Sequence, residues 1–226
     1  MLADVRERIE RACARSARDP RDVRLVAVTK GHDAAAVRSM LLDRGHRVLG
    51  ESRVQDWRPK ANVLGADVEW HLVGHLQTNK VRYCRPFALL HGVDSARLVD
   101  ALEEAGSRHG HVFPVLLQVN VAGEASKYGV APEGLPDLVA RVRDCGHVRL
   151  EGLMTMAPYD PDPERARPVF RALRALAERH ADGRTSMGMS GDFEVAIEEG
   201  ATWIRVGAAL FTPGTVTGST PAEVTR

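Results

Sequence analysis

The sequence predicts an α/β fold: a single (β/α)8 barrel of the TIM type with an extra helix at its N-terminus. Three observations carry this. Eight short apolar runs recur along the chain, segments of helical periodicity separate them, and polar and glycine residues collect at the C-terminal ends of the runs. Eight β-then-α units in about 200 residues is what such a barrel requires. A doubly wound open sheet is the alternative arrangement, because the two weakest runs, 47–50 and 88–91, could be absent.

Leu2, Val5, Ile9, Ala12 and Cys13 recur at helical spacing, so the chain opens with an amphipathic helix. The strand runs are 24–29, 47–50, 68–73, 88–91, 113–121, 148–154, 184–189 and 203–206. Several are continuous Val, Leu and Ile without alternation, as expected of parallel strands covered on both faces. Between them, Leu98, Ala101, Leu102 and Ala105 form one helical stripe. Leu135, Leu138, Val139 and Val142 form a second, and Val169, Leu173, Leu176 and Ala177 a third. Residues 1–211 read as one domain, and 212–226, rich in Thr, Gly and Pro, as a frayed tail.

Composition narrows the function. The net charge is 31 − 30 = +1 with both signs interspersed, which lacks the basic stripe of a nucleic-acid binder. No apolar run approaches the roughly 20 residues that span a bilayer, and residues 1–7 lack a signal-peptide core. Cys13, Cys84 and Cys145 are scattered and odd in number, which predicts buried free thiols in a reducing cytoplasm.

A barrel carries its site where its strands end. Lys30 closes the run Leu25-Val26-Ala27-Val28-Thr29. An amine at that rim needs either a salt-bridge partner or a chemical purpose, and partial desolvation there would free its nitrogen to attack a carbonyl. Other strand ends offer Glu51-Ser52-Arg53, His71 with His75, Asp94-Ser95, Asn120 and Met154-Thr155. The last two carry the most specific pattern. Ser190-Gly191-Asp192 opens a helix on Phe193 and Ile197, with Ser190 as its expected N-cap, and Arg205-Val206-Gly207-Ala208-Ala209 supplies a second set of backbone N–H groups. The loops after strands seven and eight are where barrels often hold phosphate. A phosphate site and a strand-end lysine on one rim suit an aldehyde bearing a phosphate. Pyridoxal 5′-phosphate (PLP) fits, and so does a sugar phosphate in an aldolase.

Other features read as ordinary. His71 and His75, spaced as H-x3-H, lie on strand and loop without a third ligand, so rim hydrogen bonding is preferred to a metal site. Met154, Met187 and Met189 read as barrel filling, Lys127 as a surface lysine, and Glu198-Glu199 as an exposed helix end.

The chain also resembles the PLP homeostasis proteins, the proline synthetase co-transcribed family, whose barrel is similar to the N-terminal domain of alanine racemase. The resemblance rests on Leu25–Lys30, Gly50-Glu51-Ser52-Arg53-Val54-Gln55, residues 70–80 (WHLVGHLQTNK) and His91-Gly92-Val93-Asp94-Ser95. It continues through residues 117–121, 124–129 and 152–156 to Ser186-Met187-Gly188-Met189-Ser190-Gly191-Asp192-Phe193-Glu194 and residues 205–211. It implies that Lys30 holds PLP as an internal aldimine and that Ser190, Gly191 and the backbone at Gly207-Ala208 take the phosphate. It further implies that Arg205 faces the pyridine nitrogen and that Ser52 and His71 complete the site.

Four departures stand out. Ser52 replaces the usual asparagine, Ala208 the usual threonine, and Gly31-His32 a threonine-containing turn. The tail after Phe211 also lacks the usual pattern. The implied role is a monomeric carrier that buffers PLP and hands it to PLP-dependent apoenzymes, with no catalytic residue of its own. The alternative is a small amino-acid racemase. Racemisation needs a base on each face of the substrate; Lys30 could supply one, but Tyr83, Tyr128 and Tyr159 match no racemase motif.

Overall fold

The computed structural model describes residues 1–124 and 127–211. Eight parallel strands close into a barrel in sequence order. They are β1 (Arg24–Val28), β2 (Val48–Glu51), β3 (Glu69–Leu72), β4 (Leu89–Val93), β5 (Phe113–Gln118), β6 (Val148–Met154), β7 (Thr185–Ser186) and β8 (Trp203–Val206). β1 pairs with both β2 and β8, so no edge remains and the open-sheet alternative falls. The two weakest predicted runs are real strands. The 212–226 stretch read as a tail lies outside the described residues.

Helix α1 (Leu2–Arg15) precedes the barrel and buries the predicted stripe. The remaining helices are α2 (Ala34–Met40), α3 (Val54–Leu64), α4 (Ala96–His109), α5 (Leu135–Arg143), α6 (Arg167–His180), α7 (Phe193–Glu198) and α8 (Ala208–Phe211). The β3–β4 crossover departs from the repeat: it is a 3-10 turn, Thr78–Tyr83, with Val81 as its one buried residue. So thin an apolar face cannot support an amphipathic helix, and Pro86 stops continuation. Strand β7 is also shorter than its run, because Gly188 takes a left-handed φ of 88°. A Cβ there would lie 2.5 Å from that of Ala196.

Two apolar layers result. The larger lies between strands and helices. The smaller fills the barrel, with Val26, Leu89, Leu116, Met154 and Trp203 packed together and Val48, Val73 and Met156 beside them. Space inside is tight: a Cβ on Gly50 would sit 2.9 Å from Val26 Cγ1. Helix α1 is tied to α7 by ion pairs from Arg8 to Glu194 (3.0 Å) and from Arg15 to Glu198 (2.7 Å). Glu198 and Glu199 are therefore not an exposed helix end. Both are half-buried, and Arg167 and Arg171 also pair with them.

Candidate functional site

At the C-terminal ends of the strands lies a cavity of about 470 Å³. That volume is ample for a small cofactor. Its wall includes Lys30, Ser52, Ser190, Gly191, Arg205 and Gly207, so six of the eight candidate residues meet in one place. A second cavity of about 450 Å³ adjoins it, sharing Lys30 and Ser52 and adding Arg53, His75, Lys80 and Tyr128.

Lys30 follows β1 and is exposed at the mouth. The expectation of a desolvated amine is corrected: the protein around Lys30 leaves it in contact with water. Gly31, at φ 79°, turns the chain immediately after it. His32 then stacks on Phe211, with ring centroids 3.7 Å apart, so the departure at Gly31-His32 joins the lysine loop to α8.

The buried lysine is a different one. Lys60, on α3, is 8% exposed and pairs with Glu51, which is fully buried. Its ammonium also donates to the Thr29 carbonyl at 2.6 Å, and Thr29 Oγ1 donates to Glu51 at 2.6 Å. This cluster pins the ends of β1 and β2 next to Lys30. Sequence reasoning missed it, although the signal was present: Lys60 falls among Val54, Trp57 and Leu64, the buried face of α3.

Ser190 corrects a second expectation. The N-cap of α7 is Asp192, not Ser190. Ser190 Oγ instead accepts the backbone N–H groups of Gly207 (3.2 Å) and Ala209 (3.3 Å), tying together the loops after β7 and β8. With its oxygen accepting two bonds, its own O–H remains to donate to an anion in the cavity. Asp192 is engaged elsewhere, accepting from the Met189 N–H at 2.6 Å, and burial raises its pKa. Ala208 is exposed and does not line the cavity. Met189 lines it rather than filling the barrel, and Met187 packs in the outer layer.

Arg205 is 5% exposed. Its guanidinium donates to Ser186 Oγ (2.7 Å) and to the Thr155 carbonyl (2.9 Å), and among the described residues no carboxylate pairs with it. Burial pushes it down to about 10, against the pull of the Asp192 charge, so it stays positive at neutral pH. A buried cation without a paired carboxylate is costly unless another acceptor reaches it. Its remaining N–H groups and the cavity beside it fit an acceptor such as a ring nitrogen. Together with Lys30 and the Ser190 hydroxyl, the arrangement suits a phosphate-bearing aldehyde with a ring acceptor.

His71 is the candidate that the structure moves furthest. It does not reach the rim or line either cavity, but points into the barrel below them. It bonds His91 (2.9 Å) and Glu69 (2.8 Å). His75, the other histidine of the H-x3-H pair, stacks on Tyr128 at 3.9 Å and approaches Asp94 at 3.4 Å. The two imidazoles therefore serve separate neighbourhoods.

Residues 1–213 match the family model described as alanine racemase, N-terminal domain. A pyridoxal phosphate homeostasis protein of Aquifex aeolicus is 41% identical over 218 residues, covering 93% of this chain and 95% of that one. PipY of Synechococcus elongatus, solved with PLP bound, is 34% identical, with a TM-score of 0.75 over 90% of this chain and 99% of its own. The alanine racemase of Clostridium difficile 630 shares the fold alone: 14% identity, TM-score 0.71, covering 93% of this chain and 56% of the racemase.

Proposed function

Because the chain belongs to the pyridoxal phosphate homeostasis protein family, we propose that it binds PLP in the cavity beside Lys30 and holds it for delivery, without turnover of its own. The observation that carries the reading is Arg205, a buried guanidinium facing the same cavity as a strand-end lysine, with no carboxylate paired to it among the described residues. When bound, PLP supplies an aldehyde that captures amines and a ring that withdraws electrons from them. Lys30 is the amine placed to meet the aldehyde. The Ser190 hydroxyl donates to the phosphate, and its two accepted bonds hold the Gly207 loop beside it. Gly191 leaves open space around its backbone, so the phosphate can approach closely. Arg205 donates an N–H to the ring nitrogen and keeps its own protons. Placed there, Arg205 would leave that nitrogen unprotonated and so favour holding over carbanion chemistry.

The PLP bound to PipY supports the cofactor, and the relatives' names support the homeostasis role. The reading extends to a monomeric cytoplasmic carrier whose recipients are PLP-dependent apoenzymes. Among the described residues, no helix is long and apolar enough to cross a membrane. The test is a titration of cofactor-free protein with PLP. A visible absorbance band should appear, vanish in Lys30→Ala, and decline as a PLP-dependent apoenzyme added to the loaded protein regains activity. A band that persists in Lys30→Ala, or loaded protein that never reactivates an apoenzyme, overturns the reading. One observation favours the racemase alternative: Tyr159, 91% exposed, lines the same cavity as Lys30. Conversion of L-alanine to its enantiomer at several turnovers per second, abolished in Tyr159→Phe, would establish it.

A further inference from the structure

A continuous line of polar side chains crosses the apolar interior of the barrel. Arg205 Nη1 donates to Ser186 Oγ at 2.7 Å. Ser186 Oγ lies 2.9 Å from His91 Nδ1, and His91 Nε2 lies 2.9 Å from His71 Nδ1. His71 Nε2 lies 2.8 Å from a Glu69 carboxylate oxygen. Ser186, His71 and His91 are all buried, whereas Glu69 begins β3 at the opposite rim, where Arg24 donates to it at 2.9 Å.

The proton inventory gives this line one direction. A guanidinium only donates, and a carboxylate only accepts. Three neutral groups stand between them, each with one hydrogen to give. If Ser186 gives its hydrogen to His91, His91 passes one from Nε2 to His71, and His71 passes one from Nε2 to Glu69, every contact has one donor and one acceptor. In the reverse direction the bare Nε2 of His71 would face the Glu69 carboxylate, two acceptors with no hydrogen between them. In this direction a proton added at His71 Nδ1 would face the His91 Nε2 hydrogen, two donors against each other, so the line requires a neutral His71. Burial pushes both imidazoles below their ordinary range, His91 furthest, in keeping with neutral rings. Around them Leu89, Leu116, Met154 and Trp203 form an apolar wall, through which water cannot readily rearrange the bonds.

We propose that Glu69, His71, His91 and Ser186 are positioning residues, a relay of fixed hydrogen-bond direction that turns the Ser186 lone pairs toward Arg205 and so aims its remaining N–H groups into the cavity. The role rests on the PLP reading, but the direction of the relay does not. Glu69 sets that direction from the far end of the barrel.

The test begins with nitrogen-15 histidine spectra of the full, cofactor-free protein at neutral pH. His71 and His91 should both be neutral with the proton on Nε2. In Glu69→Gln, whose amide can donate as well as accept, at least one ring should lose that fixed tautomer, whereas Glu69→Asp should keep both. PLP affinity should fall about threefold to tenfold in Glu69→Gln, the loss that follows one misdirected hydrogen bond, and recover in Glu69→Asp. A wild-type spectrum with either proton on Nδ1, or with a charged ring, overturns the relay, and that spectrum decides even if the glutamine variant folds poorly. Unchanged tautomers and unchanged affinity in a folded Glu69→Gln overturn it as well. Failure of the wild-type protein to take up PLP would refute the cofactor reading, leaving the tautomers to be judged by themselves.

Discussion

Replacing Lys60 by methionine should destabilise the barrel more than any substitution of an exposed lysine. The ammonium makes two good contacts: the ion pair with fully buried Glu51 and the 2.6 Å bond to the Thr29 carbonyl. Removing one partner of a buried pair leaves the other charge uncompensated, a loss of about 3–5 kcal/mol, and the orphaned carbonyl lies within that range rather than beyond it. Glu51 keeps only the Thr29 hydroxyl (2.6 Å) and the Ser52 N–H (3.1 Å). At about 2–4 °C per kcal/mol for a domain of this size, the midpoint should drop by about 10 °C. The double variant Lys60→Met, Glu51→Gln removes the stranded charge and should recover about half of the loss. The assay is urea unfolding of wild-type, single and double variants, with circular dichroism to confirm that each remains folded. A loss below about 1 kcal/mol in the single variant, or no recovery in the double, would refute the claim that this pair clamps the β1 and β2 ends.

Two further outcomes follow from the same geometry. Stability should fall as the cofactor-free protein is acidified. The unfolded chain protonates its histidines near 6.5 while buried His71 and His91 resist, so the unfolded state binds more protons below that pH. At about pH 5.5 the two rings together remove up to about 3 kcal/mol. Glu69, held down to about 2 chiefly by the His71 N–H, adds a loss of the same sign as pH falls below its ordinary 4.5. Urea midpoints that stay flat from pH 7.5 to pH 5.5 would contradict this. Separately, Ser190→Ala should weaken PLP binding about tenfold, because it removes one hydroxyl donor and leaves the Gly207 and Ala209 N–H groups without their acceptor. Pyridoxal without its phosphate should bind both proteins alike; an equal loss for both ligands would remove Ser190 from the phosphate site.

The architecture was legible because apolar runs and helical stripes are local signals. Runs as short as 88–91 mark true strands, and the α1 stripe is buried residue for residue. What escaped was the direction in which strand side chains face once the barrel closes. His71 reads with the rim because it sits near a strand end, yet the strand period of two sets Glu69 and His71 on one face and Trp70 and Leu72 on the other. Its contact with His91 joins the neighbouring strands β3 and β4, and that of His91 with Ser186 crosses the barrel, which brings β4 and β7 face to face only once β8 meets β1. Ser190 reads as a helix cap from the sequence because serine before a helix commonly caps it. Its actual partners, Gly207 and Ala209, come from the next strand's loop. Lys60 shows the opposite case, a long-range ion pair with a local trace, since a lysine within an apolar helical stripe must find a buried partner.

The most direct measurement is borohydride reduction of the PLP-loaded protein followed by peptide mapping. The account predicts one pyridoxyl group per chain, located on Lys30 and absent from Lys60 and Lys80. A pyridoxyl mass on another lysine, or none on a protein that retains visible PLP absorbance, would contradict it.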